Sequence, residues 1–328
     1  MQLINETLGQ LQLGEAASFE RLTVFPLLGA PSRAADYLTL DEALEAEQAR
    51  VQEVSDSGSV PELRFDNLGG RRVLLVDGDE LIGARQNRIV NLTILVPAHA
   101  TIEIPVSCVE AGRWAHHSDE FSSGRRSMYA RGRASKMEQV SACMKVSGDH
   151  YSDQAEVWND IDTMACDLDV SSPTSAMADL YEGHEERLGA YRKAFKAEPG
   201  QQGAVFAING AIIGLEYFDS PQPFAHYLDK LVGSYAMEAM LARETDGKAV
   251  TGDAVSGFLQ TVAAASGDAY RALGEGEDLR LSDDRVVGGA LVADRRVVHL
   301  AAFNLRHTGS YGCQRARHYS DRPVHQGE

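Results

Sequence analysis

The residues best suited to chemistry crowd into one stretch, Val73 to Trp114, which reads VLLVDGDELIGARQNRIVNLTILVPAHATIEIPVSCVEAGRW. If its central strand extends back to Arg85, then Arg85, Asn87, Asn91 and Thr93 share a face, because side chains alternate along a strand. Amides turned inward cost about 1–3 kcal/mol each unless a partner satisfies them. Two Asn and one Arg suit a polar ligand with carbonyl, hydroxyl or phosphate groups; the plainer alternative is an exposed strand face. Downstream, Glu110 and Arg113 flank a glycine before Trp114. Carboxylate, guanidinium and indole together can clamp a planar or phosphorylated ligand, or form a structural ion pair beside a packed ring. If there is chemistry, Glu80 or Glu110 is the candidate general base. Cys108, with Glu110 and the pair His116 and His117 nearby, raises a nucleophile–base arrangement. Cys108 shares its strand face with Ile104 and Val106, however, and that fits a small buried hydrophobe.

The catalytic candidates are therefore Glu80, Glu110 and Cys108, and no complete catalytic signature surrounds them. His99, His116, His117 and Glu110 match no metal-ligand spacing, so no metal is expected. GxGxxG after a strand, GxxxxGK[ST], HExxH and GxSxG are all missing, and no cofactor is expected.

Charge narrows the partners. The 328 residues carry a formal net charge of -17. Such a field repels phosphate polymers and anionic membranes, which argues against nucleic-acid and membrane partners. A small anionic ligand would need a local basic pocket. The N-terminal MQLINETLGQLQLGEAASF has neither a basic segment nor an apolar core, so it reads as no secretory signal. The cysteines (Cys108, Cys143, Cys166 and Cys313) are widely and irregularly spaced. That pattern suits free thiols in a cytoplasm.

These residues must be held by the elements around them. Val73–Val76 reads as a buried strand, Asp77-Gly78-Asp79 as a turn, Arg88–Val96 as an alternating strand and Thr101–Val109 as a third. Upstream, Leu22–Leu28 is a strand, Thr39 with Glu42 forms a capping box opening a helix to about Arg50, and Val51–Val54 and Leu63–Phe65 read as short strands. Residues 115–133 look like a long loop carrying Arg125, Arg126, Arg131 and Arg133, either a solvated basic loop or an anion-binding flap. Helices follow over Ser135–Val146 and Asp153–Cys166, and Ala176–Phe195, weakened by Gly183 and Gly189, gives one long helix or two short ones. The clearest hairpin joins Gly203–Ile208 to Ala211–Phe218 through Asn209-Gly210. Then come a helix from Phe224 to about Arg243, a second over Asp253–Ala265, and strands over Asp278–Asn304. The expectation is an α+β protein. Its mainly antiparallel, β-rich N-terminal half (barrel or sandwich-like) carries the site, with helices and a second small sheet against it. Composition divides the chain into 1–133, 134–250 and 251–328.

The stretch Gly78–Trp114 resembles the core motif of a bacterial family associated with ADP-ribosylglycohydrolases and rhodanese-phosphatase proteins. Further likenesses are LTVFPL near Leu22, LDEAL at Leu40, EVW at Glu156–Trp158, and GAIIGLEYFDSPQPFAHYLDKLVGSYAMEA. The resemblance covers residues 20–240, leaving the region after Ala249 as an extension. Positions matching its motif are Glu80, Gly83, Arg85, Gln86, Asn87, Asn91, Ser107, Cys108, Glu110, Arg113 and Trp114. The resemblance carries no established reaction. It implies a neighbourhood of NAD-derived or ADP-ribosylated substrates. The expected function is a cytoplasmic protein, open to homo-oligomerisation, that binds and perhaps processes an ADP-ribose-like or other phosphorylated nucleotide. Arg85, Gln86, Asn87, Asn91, Arg113 and Trp114 would line the pocket. The alternatives are a non-enzymatic protein-binding or assembly module, and a hydrolase using Cys108.

Overall fold

The Asn-Gly hairpin lies at the centre of the largest sheet. In the computed structural model, which describes residues 1–30, 34–55, 59–115, 117–242 and 248–308, Gln201–Ile208 pairs antiparallel with Ala211–Phe218. Asn209 and Gly210 have φ of 48° and 79°, the positive values that a type I′ turn demands at both central residues. Leu22–Leu28 flanks the hairpin on one side and Arg296–Asn304 on the other. Val286–Ala293, Glu277–Ser282 and Gly267–Arg271 continue outward, and Gln12–Leu13 and Ala17–Phe19 close the opposite edge of a nine-stranded sheet. Its strands come from the beginning, middle and end of the chain.

Both faces of this sheet are covered, so its central strands are apolar on both sides. Val24 and Phe206 are cross-strand neighbours in the core shared with the helix Pro221–Leu241. Phe25 and Val205, one residue on, face the opposite core, with Ile4 and Leu8 of the helix Gln2–Gly9 and Val255 and Phe258 of Gly252–Ala264.

Two smaller sheets carry the conspicuous stretch. The six-stranded sheet runs Phe121–Ser127, Asp79–Gly83, Arg88–Val90, Thr101–Cys108, Glu62–Asn67 and Ala49–Glu53. The three-stranded sheet runs Ile94–Val96, Arg72–Leu75 and Tyr37–Thr39. Val51, Phe65, Leu75, Leu81, Val90 and Ile104 fill a third core between them. The fold is thus α+β, with mainly antiparallel strands and a β-rich N-terminal half.

Three segments differ from the sequence reading. The helix opened by Thr39 has its capping box but ends at Glu45, and the strand expected at Val51–Val54 starts earlier, running over Ala49–Glu53. Ala49 and Val51 are buried on either side of exposed Arg50, a period of two. Arg88–Val96 is not one strand. Arg88–Val90 pairs with Val106–Cys108 while Ile94–Val96 pairs with Val73–Leu75, so the chain changes sheets across Asn91–Thr93. At that break Lys136 Nζ donates to the carbonyls of Val90 and Asn91 at 3.2 and 3.0 Å and pairs with Asp77 at 3.0 Å. The Val90 carbonyl also accepts from the Gly78 N–H at 2.9 Å, so the ammonium adds a second donor there and supplies one to the Asn91 carbonyl.

The third difference is the arginine-rich 115–133 region. Phe121–Ser127 is an edge strand against Asp79–Gly83, and a helix begins at Ala130. Phe121 and Ser127 are buried ends, with a register shift between Ser123 and Ser127. Arg133 is wholly buried against Glu216 at 2.6 Å. Its charge answers a core carboxylate.

Candidate functional site

The two polar edges of the Val73–Trp114 stretch do meet. Antiparallel pairing of Arg88–Val90 with Val106–Cys108 brings Gln86 and Asn87 beside Glu110 and Arg113. What they form is a closed knot. Glu110 Oε2 accepts from the Asn87 backbone N–H at 3.2 Å and pairs with Arg113 at 2.7 Å, and Oε1 accepts from Thr174 at 3.0 Å. Gln86 donates to the Glu110 carbonyl at 2.8 Å. Arg113 donates to the Ala84 carbonyl at 2.9 Å and to Asn87 Oδ1 at 3.1 Å. Burial would raise the Glu110 carboxyl, but Arg113, the Asn87 N–H and Thr174 hold it below the ordinary glutamate value. These groups spend their hydrogen bonds on one another, fixing the Ala84–Asn87 turn to the Thr174 loop.

The remaining candidates separate. Asn91 donates to the His150 carbonyl at 3.0 Å and accepts from Ser107 at 2.7 Å, in the polar core near Lys136. Arg85 and the wholly buried Arg88 lie 5.7 and 5.8 Å from the centroid of the half-exposed Trp114 ring. Cys108 is fully buried, and burial pushes its thiol up to about 11 against the pull of Arg88. Such a group is a thiol, not a thiolate, at neutral pH. His117 is exposed, and His116 falls outside the described residues. Among the described residues no group of three His, Cys, Asp or Glu side chains is placed to hold a metal ion.

Glu80 goes elsewhere, buried beneath Gly124 and Arg126, which line an open cleft of about 670 Å³. The short helix Leu40–Glu45, the Phe121–Ser127 edge strand, the helices Met177–Glu182 and Glu185–Ala194, and Pro221–Leu241 form its walls. Pro221–Leu241 packs on both the Gln201–Ile208 and the Phe121–Ser127 strands, and so joins the large sheet to the smaller one. From it Lys230 reaches Asp41 and Asp79, each at 2.9 Å, while Tyr227 donates to Asp79 Oδ2 at 2.7 Å. Burial opposes the Lys230 charge, but the two carboxylates prevail and raise its pKa. The ammonium is fixed and permanently charged.

Arg126 is the second anchored cation. It donates to the Ala178 carbonyl at 2.8 Å and to Glu182 at 3.2 Å, and lies 5.8 Å from the Tyr181 ring centroid. Its Nε is 3.4 Å from Glu80 Oε2. Glu80 itself is fully buried, and neither of its oxygens has a hydrogen-bond partner. Burial, opposed by Arg126, pushes its carboxyl up to about 7. It sits directly under Gly124: a Cβ there would lie 2.5 Å from Oε2 and 3.1 Å from the Glu80 Cβ and Cγ, so a larger residue would displace the Glu80 side chain. Toward solvent, Arg192 makes a two-point contact with Glu185, and His226 meets Glu42 at 3.2 Å. The cleft therefore alternates guanidinium, ammonium and carboxylate groups over a buried floor.

Similarity to known proteins agrees with the central motif. The model of the ARG and Rhodanese-Phosphatase-superfamily-associated Protein domain matches residues 10–303. The chain belongs to that family. The match runs past Ala249 and reaches the strand Arg296–Asn304, so the family likeness extends beyond residues 20–240. Comparison with curated proteins and with solved structures returns no match.

Most of the cleft was not singled out in the sequence. Asp79 reads as a turn residue, and Lys230 is hidden in an apolar helix. One signal was available: Lys230, Ser234 and Glu238 recur every four residues along the buried stripe of HYLDKLVGSYAMEAML. A polar line inside an apolar face marks groups with partners beyond the helix.

Proposed function

We propose that the cleft between the Leu40–Glu45 helix and the Pro221–Leu241 helix binds an ADP-ribose-like phosphorylated nucleotide in a cytoplasmic, NAD-linked setting. The observation that carries this reading is the pairing of two anchored cations, Lys230 and Arg126, with carboxylates around one open volume. Guanidinium and ammonium groups suit a pyrophosphate, and carboxylates accept from ribose hydroxyls. Arg126 and Arg192 exchange the rim carboxylates Glu182 and Glu185 for phosphate oxygens, while Lys230 keeps its buried partners. The family's association with ADP-ribosylglycohydrolases supports the ligand class.

The test is thermal unfolding with millimolar ADP-ribose. The melting temperature of wild type rises, Arg126→Ala loses the rise, and Arg85→Ala, outside the cleft, keeps it. No rise with any nucleotide overturns the reading. A protein-docking role draws on the half-exposed Trp114 beside two guanidiniums; in that case Trp114→Ala loses a binding partner without touching the nucleotide response.

A further inference from the structure

Beneath the cleft, under Gly124 and Arg126, lies a group whose surroundings do not suit its charge. Glu80 is fully buried, and both its carboxylate oxygens lack hydrogen-bond donors. An ionised carboxylate in that state is costly, and a single ion pair at 3.4 Å compensates it only in part. Arg126 is also tied to Glu182 and to the Ala178 carbonyl, so its position does not depend on Glu80 being charged. The other charged or ionisable groups acting on this carboxyl are Glu182, Asp179 and Tyr181 of the Met177–Glu182 helix, and Glu110 after the Thr101–Cys108 strand. All three carboxylates repel a charge on Glu80. Only Arg126 favours it.

We propose that Glu80 is the proton-exchanging counter-ion of Arg126, so that the charge Arg126 offers to an anion depends on whether the carboxyl buried beneath it holds a proton. When Glu80 is protonated, the Arg126 charge is uncompensated from below and available to the ligand. When Glu80 is ionised, it neutralises Arg126. An anion arriving at Arg126 repels the Glu80 carboxylate and draws a proton onto it, the proton coming from solvent. Anion binding therefore takes up one proton, and affinity falls by up to about tenfold per pH unit above the Glu80 midpoint. Glu80 acts through Arg126 as a positioning residue and does not itself touch the ligand. The consequence for affinity rests on the cleft reading above; the coupling between the two side chains does not.

The deciding experiment is a carboxyl ¹³C NMR titration of the unliganded full-length protein from pH 5 to 9. Glu80→Gln assigns the signal, and Arg126→Gln serves as the second variant. Of the two carboxyls raised to about 7 by burial, Glu80 and Glu238, the Glu80 signal is missing in Glu80→Gln and moves to higher pH in Arg126→Gln, while the Glu238 signal persists in both variants. The Arg126 Nε resonance follows the same midpoint in wild type and is flat in Glu80→Gln. A Glu80 carboxyl that titrates as an ordinary glutamate, or one indifferent to Arg126→Gln, overturns the proposal. If Glu80 titrates as described but ADP-ribose gives no thermal shift, the coupling holds and the ligand assignment falls.

Discussion

The Glu110–Arg113 knot and the Lys230–Arg126 cleft use the same side-chain types to different ends. In the knot, Glu110 and Arg113 lie 2.7 Å apart, and their remaining hydrogen bonds go to neighbouring backbone, Asn87 and Thr174. In the cleft, Lys230 and Arg126 are just as firmly held, but the ion pairs line an open volume, and one carboxylate beneath them lacks donors. Convergence of polar groups is therefore a poor marker of a site by itself. What separates the two regions is whether the groups satisfy one another completely.

The largest expected effect tests the rigidity of the cleft. Lys230→Met leaves Asp79 buried without its cation, and losing one partner of a buried pair costs about 3–5 kcal/mol. Urea unfolding measures this; a loss under about 1 kcal/mol means that Asp79 does not depend on Lys230. Next comes the pH dependence. The Glu80 carboxyl is raised from 4.5 to about 7, so across that window the folded protein keeps a proton that the unfolded chain releases. Stability falls as pH rises through the window. Glu80→Gln stays neutral throughout, and its advantage over wild type grows between pH 5 and 8 by up to about 3 kcal/mol. A constant difference across that range removes the premise.

A direct exchange of roles follows. Arg113→Ala destabilises by about 1–3 kcal/mol through the orphaned Glu110 and Asn87, and keeps the ADP-ribose response. Arg126→Ala costs less stability and loses that response. The opposite result would return the site to the knot. The smallest effect concerns thiols: mass spectrometry after brief iodoacetamide treatment at neutral pH finds exposed Cys166 modified and buried Cys108 untouched. Modification of Cys108 as fast as Cys166 would reopen a role for it as a nucleophile.

Local signals were legible where a few adjacent residues decide the outcome. Thr39 with Glu42 dictated a helix start, Asn209-Gly210 a type I′ turn, and the Ile104–Val106–Cys108 face a buried strand. The family motif was likewise local, since its positions are contiguous in the chain. Sheet membership was not. Arg88–Val96 alternates as one strand would, and the change of sheets is satisfied by partners outside the segment, among them the Gly78 and Pro105 backbone and Lys136. The same holds for charge: Arg126 and Arg133 are seven residues apart in one arginine-rich segment, yet one faces a cleft and the other a core carboxylate.

The sequence by itself determined the α+β class and the capped and turned elements, which follow from residue spacing, and it carried the resemblance to the family. Only the tertiary structure decided that the edges lock onto each other while Glu80 turns away beneath Gly124. Whether a polar group is spent or available depends on partners supplied by distant elements, here Thr174, Glu182 and the Pro221–Leu241 helix. The physical reason is that a hydrogen bond is satisfied in three dimensions, by whatever donor or acceptor the packing brings within reach.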